Sequence, residues 1–99
     1  MEETSRITAV VRAGIDTDPA QGAVVPPIYL STNYSFPDPT TPRAFDYSRA
    51  GNPTRRILAD ALCALEGGAG AVVTASGMGA VTACLHALAP AGSTVVLPH

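Results

Sequence analysis

Ala71-Val72-Val73-Thr74-Ala75-Ser76-Gly77-Met78-Gly79 is the stretch whose reading decides the fold. Its first four residues, apolar or β-branched, predict a buried strand, and Ser76-Gly77 predicts a turn. From Met78 to Leu88 the spacing predicts a helix with Met78, Val81, Thr82, Leu85 and Leu88 on one side. Pro90 and Gly92 then interrupt the chain before a second apolar strand, Thr94 to Leu97. Two strands apolar throughout and joined by a helix predict a β-α-β unit of the α/β class, whose parallel strands are normally covered on both faces.

The handover from strand to helix at Ser76-Gly77-Met78-Gly79 is also a candidate anion site. Unpaired amides and the positive end of a helix dipole meet there, and a glycine lets an anion approach the backbone. Spacing alone leaves a second reading open, in which the glycines only make a tight turn and allow helix-on-sheet packing. A dinucleotide reading is weaker, because Thr82 stands where G-x-G-x-x-G needs its third glycine and no acid follows through Leu97.

Upstream of this unit, Asn52-Pro53-Thr54 predicts a helix start, since Asn caps well and proline at the first helical position lacks only an amide that would have had no partner. Leu58, Leu62 and Leu65 with Ala61 form its apolar face, Arg55, Arg56, Asp60 and Glu66 its polar positions, and Gly67-Gly68 its end. At the N-terminus, Thr4 or Ser5 can cap a short helix whose Ile7, Val10 and Val11 share a face and which Gly14 ends. Between the two helices, Pro26-Pro27 and Pro37, Pro39 and Pro42 lack amide donors, so residues 19 to 45 read as extended loop. A loop of that length inside a compact domain usually serves a function or reaches a partner.

Composition divides the 99 residues in the same place. All fourteen charged residues lie between Glu2 and Glu66, leaving Gly67 to His99 without charge and suited to an interior. All five aromatics, Tyr29, Tyr34, Phe36, Phe45 and Tyr47, fall in the preceding part. The expected organisation is therefore an arm, residues 1–52, that does not bury itself, followed by a packed core over 53–99. With six Arg, no Lys and a net charge of −2, neither nucleic acid nor an anionic membrane surface is the expected partner. No stretch reaches the roughly 18 apolar residues of a membrane span. Cys63 and Cys84 have no metal-ligand spacing and read as small buried hydrophobes, so no metal is expected. The opening Met1-Glu2-Glu3-Thr4-Ser5-Arg6 has no apolar leader, which points to a cytoplasmic location. His86, on the last predicted helix, and His99 carry no pattern of their own.

The second concentration of chemistry is Asp46-Tyr47-Ser48-Arg49, which places a carboxylate, a phenol, a hydroxyl and a guanidinium just before a helix start. Arg49 offers a fork suited to phosphate or carboxylate. Spacing does not separate that reading from an Arg in water with Asp46 as surface partner and Tyr47 as core filler.

Four motifs in order, Val25-Pro26-Pro27-Ile28-Tyr29, Asp46-Tyr47-Ser48-Arg49 with Gly51-Asn52-Pro53-Thr54, Leu65-Glu66-Gly67-Gly68, and Ala75-Ser76-Gly77-Met78, resemble the N-terminal signatures of the Cys/Met-metabolism family of pyridoxal-phosphate enzymes. The resemblance implies the aspartate-aminotransferase-like fold, type I, of which these residues would be the arm and the first β-α-β part of the cofactor domain. It implies pyridoxal 5'-phosphate as cofactor, its phosphate held by the amides of Gly77 and Met78 in one subunit and reached by Tyr47 and Arg49 from the neighbouring one. Asp46 would bind substrate. The implied assembly is a homotetramer of two dimers with shared active sites, and the implied partners are small amino-acid substrates. Asp46 directly before Tyr47, with Pro26-Pro27-Ile28-Tyr29-Leu30-Ser31-Thr32, resembles the branch that replaces the γ-substituent of an activated homoserine with cysteine more than the γ-lyases. A homoserine-ester sulfhydrylase or a γ-lyase is the alternative within the family, and a non-catalytic phosphate-binding or interaction module the alternative outside it.

One departure is large. Such an enzyme needs a lysine to hold the cofactor as a Schiff base, and these 99 residues contain none. The expectation is a segment of a longer enzyme, inactive alone, with no catalytic residue of its own.

Overall fold

The computed structural model describes residues 3–98; Met1, Glu2 and His99 lie outside them. Three helices follow in order: α1 (Glu3–Val11), α2 (Pro53–Glu66) and α3 (Gly77–Leu88).

Helix α2 begins as its sequence dictates. Asn52 is extended at φ −142°, its side chain accepts from the Thr54 amide, and Pro53 occupies the first turn. Gly67 ends the helix in the left-handed region at φ 65°, where its amide and that of Gly68 return to the carbonyls of the last turn. The expected face is covered only in part. Leu58 and Leu62 are 49% and 44% exposed, whereas Ala61 and Leu65 of the same face are half-buried, with Ala59 buried and Ile57 half-buried beside them. The reason is α1, which with the turn after it lays Ala9, Ala13 and Gly14 beside Ile57, Ala61 and Ala64 of α2.

Helix α1 contains Thr4 and Ser5 within its span, so neither residue precedes it as a cap. Its expected apolar face also turns outward, with Ile7, Val10 and Val11 at least half exposed, because small alanines allow the closer approach to α2. Gly14 stops the chain beyond it at φ +78°, and a Cβ there would lie 2.7 Å from Ile57 Cγ2 and 3.0 Å from Pro26 Cγ. Both backbone and packing therefore require glycine. The Arg6 guanidinium donates to the Leu65 carbonyl at 3.2 Å, so contacts cross residue 52 from both ends of α1.

Residues 19–45 contain neither helix nor ladder, as the prolines demand. Two antiparallel bridges shape this region: Asn33 with Tyr47, and Asp38 with Thr41. At its start Asp18, 8% exposed, accepts from the amides of Ala20, Gln21 and Ala23 and closes a turn.

The expected strands are not formed as strands. Residues 71–74 and 94–97 run without a ladder partner, and among the described residues no β-ladder occurs. A strand exists through its neighbour, and consecutive strands are adjacent only about two-thirds of the time, so these two need not pair with each other. Helix α3 is present but touches neither α1 nor α2. Met78, Val81, Leu85 and Leu88 are 42–81% exposed. The two cysteines follow suit and are not core residues: Cys63 is half-buried with its thiol donating to the Gly68 carbonyl, and Cys84 is exposed. A radius of gyration of 17.3 Å exceeds the roughly 13 Å of a compact domain of 100 residues.

Candidate functional site

Two groups of candidate residues take shape separately. The first is the start of α3. Ser76, at φ −154° and ψ 158°, caps it by accepting from the Gly79 amide at 3.0 Å, and the Ala80 amide returns to the Ser76 carbonyl. The Gly77 and Met78 amides have no acceptor among the described residues, which is the state of the first orphan donors of a helix. Around Gly77 the space is open, with nothing within 4 Å of where a Cβ would stand. Two free donors beside open space at the positive end of a twelve-residue helix fit a phosphate. The first turn holds no acidic side chain to oppose one.

The second group is the turn 46–51. The Tyr34 amide donates to the Asp46 carbonyl at 3.0 Å and the Ser48 amide to the Thr32 carbonyl at 2.8 Å, which fixes this segment beside residues 31–34. The turn then closes with the Ala50 and Gly51 amides both donating to the Tyr47 carbonyl at 3.0 Å. Ser48 turns inward, where its hydroxyl donates to the Ser31 carbonyl and stands 3.2 Å from the Tyr34 hydroxyl. Tyr47 and Arg49 turn outward. Arg49 donates to the Tyr47 hydroxyl at 3.0 Å, and its guanidinium carbon lies 5.3 Å from the Tyr47 ring centroid, so the two form one unit with a cation over an aromatic face. Among the described residues no acid pairs with Arg49. Asp46 is exposed, and its Oδ1 accepts from the Tyr47 amide at 2.7 Å while Oδ2 has no partner. It does not form the surface pair with Arg49 that the sequence left open.

No hydrogen bond, ion pair or ring contact joins Tyr47 or Arg49 to Gly77 or Met78. The sequence therefore named both groups, and the chain does not bring them together. What sequence reasoning missed is the polar framework behind the turn. Asn52, expected only as a helix cap, also donates through Nδ2 toward the Tyr29 carbonyl at 3.0 Å, Ser48 Oγ at 3.0 Å and the Tyr34 hydroxyl at 3.2 Å. Thr54 Oγ1 accepts from the Tyr29 amide at 2.9 Å, and Arg55 donates to the Arg49 carbonyl at 3.1 Å. No spacing rule marks these contacts, because they link residues up to 25 apart.

The sequence profile described as Cys/Met metabolism PLP-dependent enzyme matches residues 7–99. The chain belongs to that family. It is 49% identical over 92 residues to the cystathionine gamma-synthase of Escherichia coli strain K12, which covers 93% of this chain and 24% of that protein. It is 39% identical over 94 residues to a cystathionine beta-lyase of Lactococcus lactis, covering 95% of this chain and 24% of the relative. Among solved structures, a cystathionine gamma synthase from Xanthomonas oryzae pv. oryzae, crystallised with cystathionine, matches with a TM-score of 0.80 and 57% identity over 83% of this chain and 21% of that one. The chain thus spans about a quarter of the length of the curated relatives it matches.

Among the described residues no three His, Cys, Asp or Glu side chains are grouped to hold a metal, and no helix is long and apolar enough to cross a membrane.

Proposed function

We propose that this chain is the arm and the opening of the cofactor domain of a type I pyridoxal-phosphate enzyme that replaces the γ-substituent of O-succinylhomoserine with cysteine, releasing succinate and forming cystathionine. Residues 1–52 form the arm and 53–99 the first part of the cofactor domain. The observation that carries the reading is the separation of two phosphate-suited groups, the free Gly77 and Met78 amides and the outward Tyr47–Arg49 unit, within one chain.

Gly77 and Met78 bind the cofactor phosphate of their own subunit through their amides. Tyr47 and Arg49 bind the phosphate of the neighbouring subunit, the guanidinium supplying charge and the phenol holding it in place. Asp46 offers Oδ2 to the ammonium of the amino-acid substrate. When bound, the cofactor ring supplies an electron sink for carbanions at the α and β carbons. The lysine that this chemistry requires belongs to the longer enzyme. The charge-free, exposed residues of α3 and 93–97 have the character of a surface that other parts of that enzyme cover. The assembly is a homotetramer of two active dimers in the cytoplasm.

Subunit complementation tests this reading. In the full-length enzyme at limiting cofactor, Arg49→Ala is strongly impaired and a variant lacking the Schiff-base lysine is inactive, and mixing them raises activity above either alone, because one site of a heterodimer keeps both groups. Arg49→Ala weakens cofactor binding by about one to two orders of magnitude, the worth of a charge-assisted hydrogen bond of roughly 1.5–3 kcal/mol. No recovery under conditions where subunits exchange overturns the shared site.

The 39% identity to a cystathionine beta-lyase supports a second reading, cleavage of cystathionine. A sulfhydrylase or γ-lyase would use the same phosphate groups. Product analysis with O-succinylhomoserine plus cysteine, against cystathionine alone, separates the transferase from the lyases, and sulfide in place of cysteine identifies the sulfhydrylase.

A further inference from the structure

The turn bearing Tyr47 and Arg49 has a single side chain behind it that reaches three different segments. Asn52 Nδ2 faces the Tyr29 carbonyl, Ser48 Oγ and the Tyr34 hydroxyl at 3.0–3.2 Å, while Oδ1 accepts from the Thr54 amide at 2.9 Å. The NH2 group has two hydrogens for these three acceptors, so one hydrogen is shared between two of them. Ser48 gives its own proton to the Ser31 carbonyl, so its two lone pairs are open to Asn52 and Tyr34. Ser48 is the one residue between Tyr47 and Arg49, and its side chain is half-buried and hydrogen-bonded to the framework while theirs are exposed. Whatever fixes Ser48 therefore fixes the backbone from which the Tyr47–Arg49 unit projects.

From this geometry we infer that Asn52 is a positioning residue for phosphate recognition, acting through Ser48 on Tyr47 and Arg49. The inference rests on the reading of those two residues as phosphate ligands. Capping and positioning use opposite ends of the Asn52 amide: the carbonyl oxygen caps α2, and the NH2 group holds the turn. Aspartate and serine cap a helix about as well as asparagine does. Neither can supply the NH2 donor. With aspartate a carboxylate oxygen would face the Tyr29 carbonyl, acceptor against acceptor, while the cap to Thr54 stays intact.

The test compares Asn52→Asp, Asn52→Ser, Arg49→Ala and the double variant Arg49→Ala with Asn52→Asp in the full-length enzyme. The readout is equilibrium binding of pyridoxal phosphate and of pyridoxal, the same ring without the phosphate. Asn52→Asp is expected to lower the thermal midpoint only slightly and to keep the pyridoxal affinity while lowering pyridoxal-phosphate affinity about tenfold, the scale of a lost hydrogen bond. In the Arg49→Ala background it should lower that affinity no further. Asn52→Ser should act in the same direction, and it answers the question if the aspartate variant does not fold. If Arg49→Ala lowers the phosphate-specific part and both Asn52 variants leave it unchanged, the inference fails and the shared-phosphate reading stands. Equal losses for pyridoxal and its phosphate, or full additivity in the double variant, also overturn it, leaving Asn52 as a structural cap. If Arg49→Ala itself leaves the phosphate-specific part unchanged, the shared-phosphate reading falls and this inference falls with it.

Discussion

The segment from Tyr29 to Arg55 and the segment from Ala71 to Leu97 are similar in length and opposite in how they are held. In the first, Asn52, Ser48, Thr54, Arg55 and Tyr34 tie non-adjacent stretches together through directional hydrogen bonds, although little of the region is buried. The second is more apolar and contains a well-capped helix, yet Val72, Met78, Leu88 and Val96 are 72–91% exposed. A hydrogen-bonded turn completes itself from nearby donors and acceptors. An apolar helix and two strands are stabilised only when other surface removes them from water.

The sharpest way to break this contrast is to place a charge on α3. Val81→Asp in the full-length enzyme should cost about 3–5 kcal/mol, the scale of an unpaired buried charge, and appear as a large fall in the denaturation midpoint. In the 99-residue chain, where Val81 is 49% exposed, the same change should leave the α1–α2 signal unaltered and improve solubility. Equal, small effects in both would mean that nothing covers this face.

Next in size is Gly14→Ala, which strikes the tight contact between the turn after α1 and α2. A Cβ 2.7 Å from Ile57 Cγ2 at φ +78° adds overpacking to left-handed strain. The sum is about 2–4 kcal/mol, read by urea unfolding. A neutral result would show that α1 does not stay docked on α2.

Gly77→Val sharpens the other side of the comparison. Its Cβ meets nothing within 4 Å, so the thermal midpoint should hold. Retention of pyridoxal phosphate in the full-length enzyme should nonetheless fall about tenfold, because a branched side chain would occupy the approach to two free amides. Unchanged retention would reduce Ser76-Gly77-Met78 to a turn.

The smallest effect belongs to Asp38. The Thr40 hydroxyl, then the Thr40 amide and Thr41, hold its carboxyl down from 3.8 to about 2. A depressed folded value means that its contribution is full above the unfolded pKa and is lost as pH falls from 3.8 toward about 2. Amide shifts of Thr40 and Thr41 should move together in that window, while those near Asn52 stay still.

Much was legible beforehand because it is decided locally. Asn52-Pro53 and Gly67 mark the ends of α2, α3 starts at Gly77, one residue before the expected Met78, and the prolines keep 19–45 out of regular structure. The two phosphate-suited groups were legible for the same reason, since a helix start and an Asp-Tyr-Ser-Arg run are short-range features. The contacting face of α2 was legible only in part: Ala61 belongs to the expected face, but Ile57 and Ala64 lie beside α1 while Leu58 and Leu62 stay exposed, and only the arrival of α1 makes that choice. The threefold reach of Asn52 was equally hidden, since its acceptors come from positions 29, 34 and 48.

The sequence by itself determined helix ends, turns and the chemical identity of the candidate groups, through capping, φ preference and side-chain type, all of which act within a few residues. Only the tertiary structure decided which stripe of α2 is covered, that Asn52 stands behind the turn of Tyr47 and Arg49, and that this turn makes no contact with the start of α3. Those outcomes depend on which surfaces meet, and a packing partner or a hydrogen-bond acceptor distant in the chain leaves no periodicity to read.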